Sequence, residues 1–486
     1  MMQQRQNLCI AMVSDFFYPN MGGVKSHIFC LAQQLIQRGH NVIVLTHTYK
    51  DRVGLRYLYA GKSPITGESL YLKVYHISIT VLLNECTIPN YLLFFPAFFE
   101  IVKRERVQIV HAHQAFSCMA HEALMHARTM GLECVFTDHS LFGFSDASSI
   151  LTNKLLKFCL VDVSKVICVS HISKENTVLR AKCKPSNVYV IPNAIHPASF
   201  KPDLEKRSKE RITIVVVSRL VYRKGTDLLV QVIPLVCRLF PQVIWIIGGD
   251  GPKRLDLEQM LEKEGLQHRV QMLGRLLNDQ VPGVLQRGHI FLNCSLTEAF
   301  CIAIVEAACA GLLVVSTRVG GIPEVLPRDM LLLTDVRPED IVKNLSLAIE
   351  KVGVMESDFP FRMHERVAKM YSWQDVAERT ERVYLDPNNS NSCSGIVPRL
   401  KKTWKMGILS GKVFCLGLVV EYWVWRFLEW LYALSNAREK RIVSGQSQQV
   451  SRKENLPVKC FNSLSNEQKV HKDTNIYTKT TFHKAQ

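Results

Sequence analysis

Two glutamates eight residues apart, Glu298 and Glu306, stand in the phrase Ser295-Leu-Thr-Glu-Ala-Phe-Cys-Ile-Ala-Ile-Val-Glu306, where a strand-like run gives way to a loop and a helix. Carboxylates placed this way can accept hydrogen bonds from sugar hydroxyls, with Thr297 capping the helix, Glu298 at its mouth and Glu306 about two turns farther on. A pair of glutamates on a solvated helix has the same spacing, so spacing alone leaves both readings open. Upstream, Val215-Val-Val-Ser-Arg-Leu-Val-Tyr-Arg-Lys-Gly225 ends a strand with Arg219 and Lys224 where the next helix begins. These two can neutralise a diphosphate, the arginine as a planar fork and the lysine as a point charge. Arg223 is an alternative member of the pair, and any of the three can be a plain surface charge.

Downstream, the stretch from Gly311 to Glu324 reads as another strand followed by a glycine turn, which puts Gly320 and Gly321 at the same strand-end face. Near the N-terminus, the stretch from Ser14 to His27 is a strand, a loop and a helix entry, with Gly22 and Gly23 just before the helix. Glycines there let backbone N–H groups approach a phosphate, although a lone Gly-Gly is equally a tight turn. Gly249, in the turn Gly248-Gly-Asp-Gly-Pro252, offers a further nucleotide contact. Two histidine sites end strands of the first half, His111-Ala-His113 and Phe136-Thr-Asp-His-Ser140. His139, beside Asp138, can orient a substrate hydroxyl or stabilise charge, because imidazole can donate from either nitrogen. Buried structural histidines leave the same trace.

No Ser-His-Asp order competes with this cleft. Fifteen cysteines run from Cys9 to Cys460 without a Cys-x-x-Cys pair or a metal-ligand spacing, which argues against zinc and against a disulfide framework. Reduced thiols facing the cytosol are the expectation. The residues before Cys9 lack the charged, apolar and cleavage regions of a secretory signal, so the main body is expected in the cytosol.

The elements that must hold these residues follow from the hydrophobic pattern. Short runs rich in Val and Ile alternate with amphipathic stretches: Cys9 to Asp15, Asn41 to His47, Ile109 to His113, Cys134 to His139, Val166 to Ser170 and Val188 to Pro192. The pattern restarts after the charged stretch from Pro197 to Glu210, with Ile212 to Ser218, Val243 to Gly249, Val270 to Gly274, Ile290 to Cys294 and Leu312 to Thr317. Buried parallel strands with crossover helices read this way. Two Rossmann-like, doubly wound α/β domains are predicted, residues 1–196 and 197–386, with a ligand in the cleft at their strand ends.

The chain has 486 residues, 47% hydrophobic and 21% charged, enough for two or three domains with their own cores. Its net charge of +17 invites a nucleic-acid reading, but placement argues against one. Ala437 to Gln486 carries ten Lys or Arg and four Asp or Glu, and Pro398 to Lys412 adds five more positive residues. This excess surrounds one apolar segment and suits an anionic membrane surface; a basic tail without a partner has the same composition. A polar linker is expected over 387–412, a membrane-associated helix over 413–435 and a disordered basic tail over 436–486. Val413 to Ser435 is long and apolar enough to span a bilayer, but it carries Glu421, Arg426 and Glu429, so an interfacial helix is the alternative.

Taken together, these residues resemble the retaining GT-B glycosyltransferases that carry a paired-glutamate motif, with the match running from about Asn7 to Asp386. Within that superfamily the phrases MVSDFFYPNMGGV, FTDHSLFGF, SKENTVLRA, VVVSRLVYRKG and STRVGGIPEVLP resemble the catalytic-subunit family of the phosphatidylinositol N-acetylglucosaminyltransferases. The resemblance implies UDP-N-acetylglucosamine as donor and phosphatidylinositol as acceptor. It implies the first step of glycosylphosphatidylinositol anchor synthesis, on the cytosolic face of the endoplasmic reticulum membrane, in a hetero-oligomeric complex with other transferase subunits. By the same carry-over Glu306 binds the ribose, Glu298 the donor sugar, Arg219 and Lys224 the diphosphate; Gly22 and Gly23 close over it, and His139 lies near the reacting centre. No metal and no other cofactor is expected. Lys25 departs from the family, standing where such loops commonly have Glu, as do Leu312 and Leu313 and the charges within the apolar segment. Another lipid-directed transferase of the same fold, such as a mannosyl enzyme, is the nearest rival. A GT-B-shaped nucleotide-sugar epimerase and a non-catalytic scaffold are further ones.

Overall fold

The computed structural model describes residues 7–19, 22–83, 86–143, 147–161, 163–387 and 395–453. It contains two compact units, Met1–Leu428 and Glu429–Gln486. The first unit holds two sheets. Its first sheet is built from β1 (Cys9–Val13), β2 (Asn41–His47), β3 (Gly54–Lys62), β4 (Ser69–Ile77), β7 (Ile109–His113), β8 (Glu133–Asp138), β9 (Lys165–Cys168) and β10 (Val188–Val190); β5 (Val81–Leu83) and β6 (Cys86–Thr87) form a separate small ribbon. The strand order is β10-β9-β8-β7-β1-β2-β4-β3, parallel except for β3, which pairs antiparallel with β4. Between the strands run α1 (Gly23–Gln37), α2 (Tyr91–Glu105), α3 (Cys118–Thr129), α4 (Ala147–Leu160) and α5 (His171–Ala181).

The second sheet contains β11 (Ile212–Val217), β12 (Val243–Gly248), β13 (Val270–Gly274), β14 (Ile290–Asn293), β15 (Leu313–Thr317) and β16 (Leu331–Thr334), all parallel, in the order β13-β12-β11-β14-β15-β16. Its helices are α6 (Thr226–Leu239), α7 (Arg254–Lys263), α8 (Val281–Leu285), α9 (Ile302–Cys309), α10 (Pro338–Gly353) and α11 (Phe359–Met370). Counted within the sheet this is the 3-2-1-4-5-6 order, whose direction of winding reverses between β11 and β14, and ligands of open α/β sheets bind at such a reversal. In the first sheet the reversal lies between β1 and β7. The inner strands are buried along nearly their whole length because helices cover both faces, which is why they read as unbroken apolar runs. On the outer face of the first sheet Phe94, Phe95 and Phe98 of α2 are fully buried. Each contributes roughly 2–3 kcal/mol of transfer free energy.

The chain crosses between the domains twice, side by side, where Ile195 bridges to Ser372. The second crossing leads into α12 (Trp373–Leu385), which lies within the span assigned to the second domain but packs on α1 of the first. Glu381 of α12 pairs with Arg38 and, at 3.2 Å, with His40; Tyr384 Oη lies 2.7 Å from His111 Nδ1; Lys165 Nζ donates to the Tyr384 carbonyl at 2.9 Å.

Beyond α12, residues 388–394 of the expected linker lie outside the described residues, and the rest of it forms α13 (Ile396–Trp404) and the start of α14 (Ser410–Lys453). The expectation of a possible bilayer span is corrected: among the described residues no helix is long and apolar enough to cross a membrane. Glu421, Arg426 and Glu429 interrupt the apolar run. The tail expected from residue 436 begins inside α14, while residues 454–486 lie outside the described residues.

Candidate active site

The loops after β11 and β14 meet at the winding reversal of the second sheet. Gly225 makes this approach possible: a Cβ there would lie 1.9 Å from the Cys294 carbonyl oxygen, and its φ of +71° is one that side chains rarely adopt. Across this junction the Lys224 ammonium forms an ion pair with Glu298. Burial pushes the lysine down, and Glu298 more than offsets it, so Lys224 stays charged with a pKa above its ordinary value. Ser295 Oγ donates to the same oxygen, Glu298 Oε1, at 2.8 Å and helps to fix the carboxylate. Arg219 is exposed nearby, close enough for its charge to act on Lys224. Arg223 turns elsewhere, donating to the Leu141 carbonyl of the first domain at 3.4 Å.

The loop after β15 closes on the same place. Gly321 N–H donates to the Glu298 carbonyl at 3.0 Å, and a Cβ on Gly320 would lie 2.1 Å from that oxygen. Gly320 and Gly321 therefore act by letting their backbone lie against Glu298. Gly249 does the same for the loop after β12: its φ is +139° and a Cβ would lie 1.8 Å from the Ser218 carbonyl, beside Arg219.

The expected helix entry differs. Thr297 does not cap α9, which begins at Ile302 with Cys301 at the N-cap, and no side chain caps it. Cys301 has φ +70°, a left-handed conformation that breaks the helical pattern one residue before Ile302 and keeps Glu298 in the preceding loop. Glu306 is thus one turn into the helix, half-buried, and withdrawal from water pushes its carboxyl up to about 7. Cys301 lies between the two glutamates and feels both charges.

On the first domain, Gly22 precedes α1 and Gly23 opens it, and nothing lies within 4 Å of where a Cβ on either would stand. Their space is open; Asn20 and Met21 of the same loop lie outside the described residues. Lys25 is buried with its ammonium 3.5 Å above the Tyr18 ring.

His139 follows β8, and its neighbour Asp138 does not serve it. Successive side chains at a strand end point to opposite sides. The Asp138 carboxylate accepts from Thr177 at 2.9 Å and pairs with Arg180 at 3.2 Å, whereas His139 Nε2 lies 3.4 Å from His113 Nδ1. His27 of α1, which the stretch from Ser14 to His27 did not mark as a site residue, completes the group, its Nδ1 2.9 Å from Asn193 Oδ1 and its ring 4.7 Å from that of His139. Burial drives His27 down to about 4 and His113 and His139 well below the ordinary range, so all three are neutral at pH 7. Nitrogens of the three lie within 4.8 Å of one another, a metal-capable grouping that sequence spacing did not reveal. His111 is structural, with both nitrogens engaged by Tyr384 and Thr137. The segment after His139 reaches the second domain, where Leu141 packs beside Gly320.

Two cations, a carboxylate anchored at the sheet reversal and a cluster of neutral imidazoles on the facing domain can bind a diphosphate and a polyhydroxylated group together. Two family models match the chain: one described as PIGA (GPI anchor biosynthesis) over residues 47–146, and glycosyl transferases group 1 over residues 199–357. An Arabidopsis thaliana protein named as a phosphatidylinositol N-acetylglucosaminyltransferase subunit is 51% identical over 433 residues, covering 88% of this chain and 93% of the relative. The Homo sapiens protein of the same name is 50% identical over 429 residues, covering 87% and 85%. Among solved structures, sucrose-phosphate synthase from Thermosynechococcus elongatus superposes with a TM-score of 0.62 at 17% identity, covering 78% of this chain and 98% of that one. A glycosyltransferase from Rickettsia africae gives 0.61 at 18%, covering 78% and 98%. These structures share the GT-B fold.

Proposed function

The chain belongs to the catalytic-subunit family of the phosphatidylinositol N-acetylglucosaminyltransferases and is a glycosyltransferase, and we propose that it moves N-acetylglucosamine from UDP-N-acetylglucosamine to phosphatidylinositol with retention, opening glycosylphosphatidylinositol anchor synthesis. The observation that carries the site assignment is the Lys224–Glu298 pair at the reversal of the second sheet, with Arg219 beside it. Lys224 and Arg219 take the diphosphate and stabilise the charge that develops on it as the glycosidic bond breaks. Glu298 accepts hydrogen bonds from the sugar hydroxyls, and Glu306 from the ribose. The acceptor hydroxyl attacks from the face the diphosphate leaves, and a diphosphate oxygen takes its proton. His139, held neutral, donates a hydrogen bond near the reacting carbon without adding positive charge.

On this reading the cations do the work a metal does elsewhere, and no metal or other cofactor takes part. The enzyme acts at the cytosolic face of the endoplasmic reticulum membrane, attached by the helix over 413–435, in a complex with other subunits, as the names of its relatives suggest. The test is transfer of labelled N-acetylglucosamine from UDP to phosphatidylinositol in membranes of cells that lack the endogenous enzyme and express this chain. Transfer that disappears in Glu298→Gln supports the assignment; transfer of mannose from a mannosyl donor instead would sink it.

A further inference from the structure

Lys25, in the first turn of α1, has no role at the diphosphate, yet it is a charge withdrawn from water without an anion beside it. It is 6% exposed, and among the described residues its ammonium meets the Tyr18 ring and has no carboxylate or hydrogen-bond acceptor. The charge it feels is another cation: Arg52 stands close enough for the two to oppose each other. Arg52 is held by the loop after β2, where Tyr49 and Arg52 exchange backbone hydrogen bonds of 3.3 and 2.9 Å across Lys50 and Asp51. Arg56, near the start of β3, is exposed and donates to the Asp51 carbonyl at 3.2 Å, not to a carboxylate. His76, near the end of β4, lies beside Arg52, Arg56 and His47, with its Nδ1 3.2 Å from the His47 carbonyl. His47, at the end of β2, donates its Nδ1–H to the Thr48 carbonyl at 2.7 Å, which leaves Nε2 buried, bare and without a partner. Buried charge is ordinarily paired, and like charges side by side raise its cost. An anionic group among these cations supplies what the chain omits.

Resting on the acceptor proposed above, we infer that Lys25, Arg52 and Arg56 form the subsite for the acceptor's phosphodiester, with His47 Nε2 accepting from a ring hydroxyl beside it. The cluster lies at the same edge of the first sheet as His113 and His139, because β8, β7, β1, β2 and β4 run parallel in that order and all end there. The ends of β7 and β2 are two strand spacings apart, about 10 Å. α1 joins the two places, with His27 against His139 and Lys25 two residues earlier. An inositol ring laid across that gap turns a hydroxyl to the histidines and its phosphate to the arginines. Exposure rises outward from Lys25 through the half-buried Arg52 to Arg56, and the exposed Val53 and Leu55 stand between the two arginines in sequence. Closed and polar within, cationic in the middle and apolar at the mouth, this order matches a ring, a phosphodiester and a glycerolipid taken in turn. A nucleoside diphosphate has no apolar end to place there, and the cations assigned to it, Arg219 and Lys224, belong to the other domain.

The test uses the purified full chain and the membrane assay side by side. In titration calorimetry the wild type is expected to bind glycerophosphoinositol, and Lys25→Met/Arg52→Gln to bind it about tenfold more weakly, with UDP binding and the circular dichroism spectrum unchanged. In membranes the same variant, and Arg56→Gln at its exposed position, should raise the KM for phosphatidylinositol several-fold and leave the KM for UDP-N-acetylglucosamine as it is. A rise in the donor's KM instead would assign the cations to the diphosphate and overturn the inference. Inorganic phosphate binding as tightly as glycerophosphoinositol would reduce the cluster to a general anion site, and a defect cured by raising phosphatidylserine in the membrane would assign it to bulk lipid; either result overturns it. Transfer to phosphatidylinositol that both variants leave untouched would remove the subsite and keep the proposed reaction. Glycerophosphoinositol binding that the double variant loses, with no transfer to phosphatidylinositol by the wild type, would keep the subsite and remove the reaction.

Discussion

Glu324, at the end of the glycine turn after β15, reaches across the cleft and caps α5 of the opposite domain, accepting the backbone N–H groups of His171 at 2.6 Å and Ile172 at 2.9 Å. Ser170 Oγ adds a hydrogen bond to the Ala299 carbonyl at 2.7 Å, so the two domains are stitched together on either side of Glu298. A carboxylate at a helix N-terminus satisfies donors that have no partner in the helix and meets the positive end of its dipole.

Replacing Glu324 by Ala is expected to lower stability by about 1–2 kcal/mol, the range for a lost cap, and to raise the KM for donor more than it lowers kcat. Urea unfolding and steady-state kinetics read both; an unchanged KM would mean that the clasp does not govern closure.

Lys224→Met and Glu298→Gln should each reduce kcat by roughly a hundredfold or more, in the range for removal of one charge-stabilising group. Because the two side chains touch, the double variant should lose much less than the product of the single losses. Multiplicative losses measured in membranes would show that they act independently.

Gly320→Ala places a methyl group 2.1 Å from the Glu298 carbonyl oxygen at a φ of +51°. The expected result is a folded protein weakened by about 1–3 kcal/mol whose transfer rate falls at least as far as its stability suggests. Wild-type turnover in this variant would detach the glycine turn from the site.

Stability should fall between pH 7 and pH 5. His27, held down to about 4, His111, held down to about 3, and His113 and His139, also depressed, refuse protons that an unfolded chain takes up near 6.5. Their contribution is complete above about pH 6.5 and is lost as the pH drops toward the folded values. Glu122 and Glu306, raised to about 7, act the other way, binding protons in the folded chain that the unfolded one has released, so they favour folding toward low pH. Burial also depresses His76, His121, His196 and His289, so eight imidazoles oppose two carboxyls, and the urea midpoint should be lower at pH 5; a midpoint that rises would contradict the neutral buried histidines.

Chelation should leave transfer unchanged. Although His27, His113 and His139 could gather around an ion, the diphosphate is assigned to Arg219 and Lys224. Rates before and after exhaustive EDTA treatment decide it, and restoration by added zinc would move the chemistry toward the histidines.

Much of this is legible without the fold. Eleven apolar runs mark eleven parallel strands because helices bury both faces of each sheet, leaving no polar alternation to blur them. The hairpin of β3 and β4 is not among those runs: β3 is an edge strand whose Leu55, Tyr57 and Tyr59 are exposed, so its apolar residues do not mark a face buried between helices. Lys224 and Glu298 are readable as candidates, but not as a pair, since they lie 74 positions apart and only the strand order brings them together. The same holds for His27, which meets His113 and His139 solely through packing of α1 on the sheet. Asp138 misleads because adjacency in sequence at a strand end means divergence in space.

The return of α12 to the first domain sets the order in which a ribosome can finish this protein. Glu381 and Tyr384, which close on Arg38, His40 and His111, are made after the whole second domain. Until then the first domain waits with the α1 surface uncovered and a buried histidine lacking its phenol. The domain that begins first is completed last, and any truncation before residue 385 releases a chain whose earliest-made half is the unfinished one.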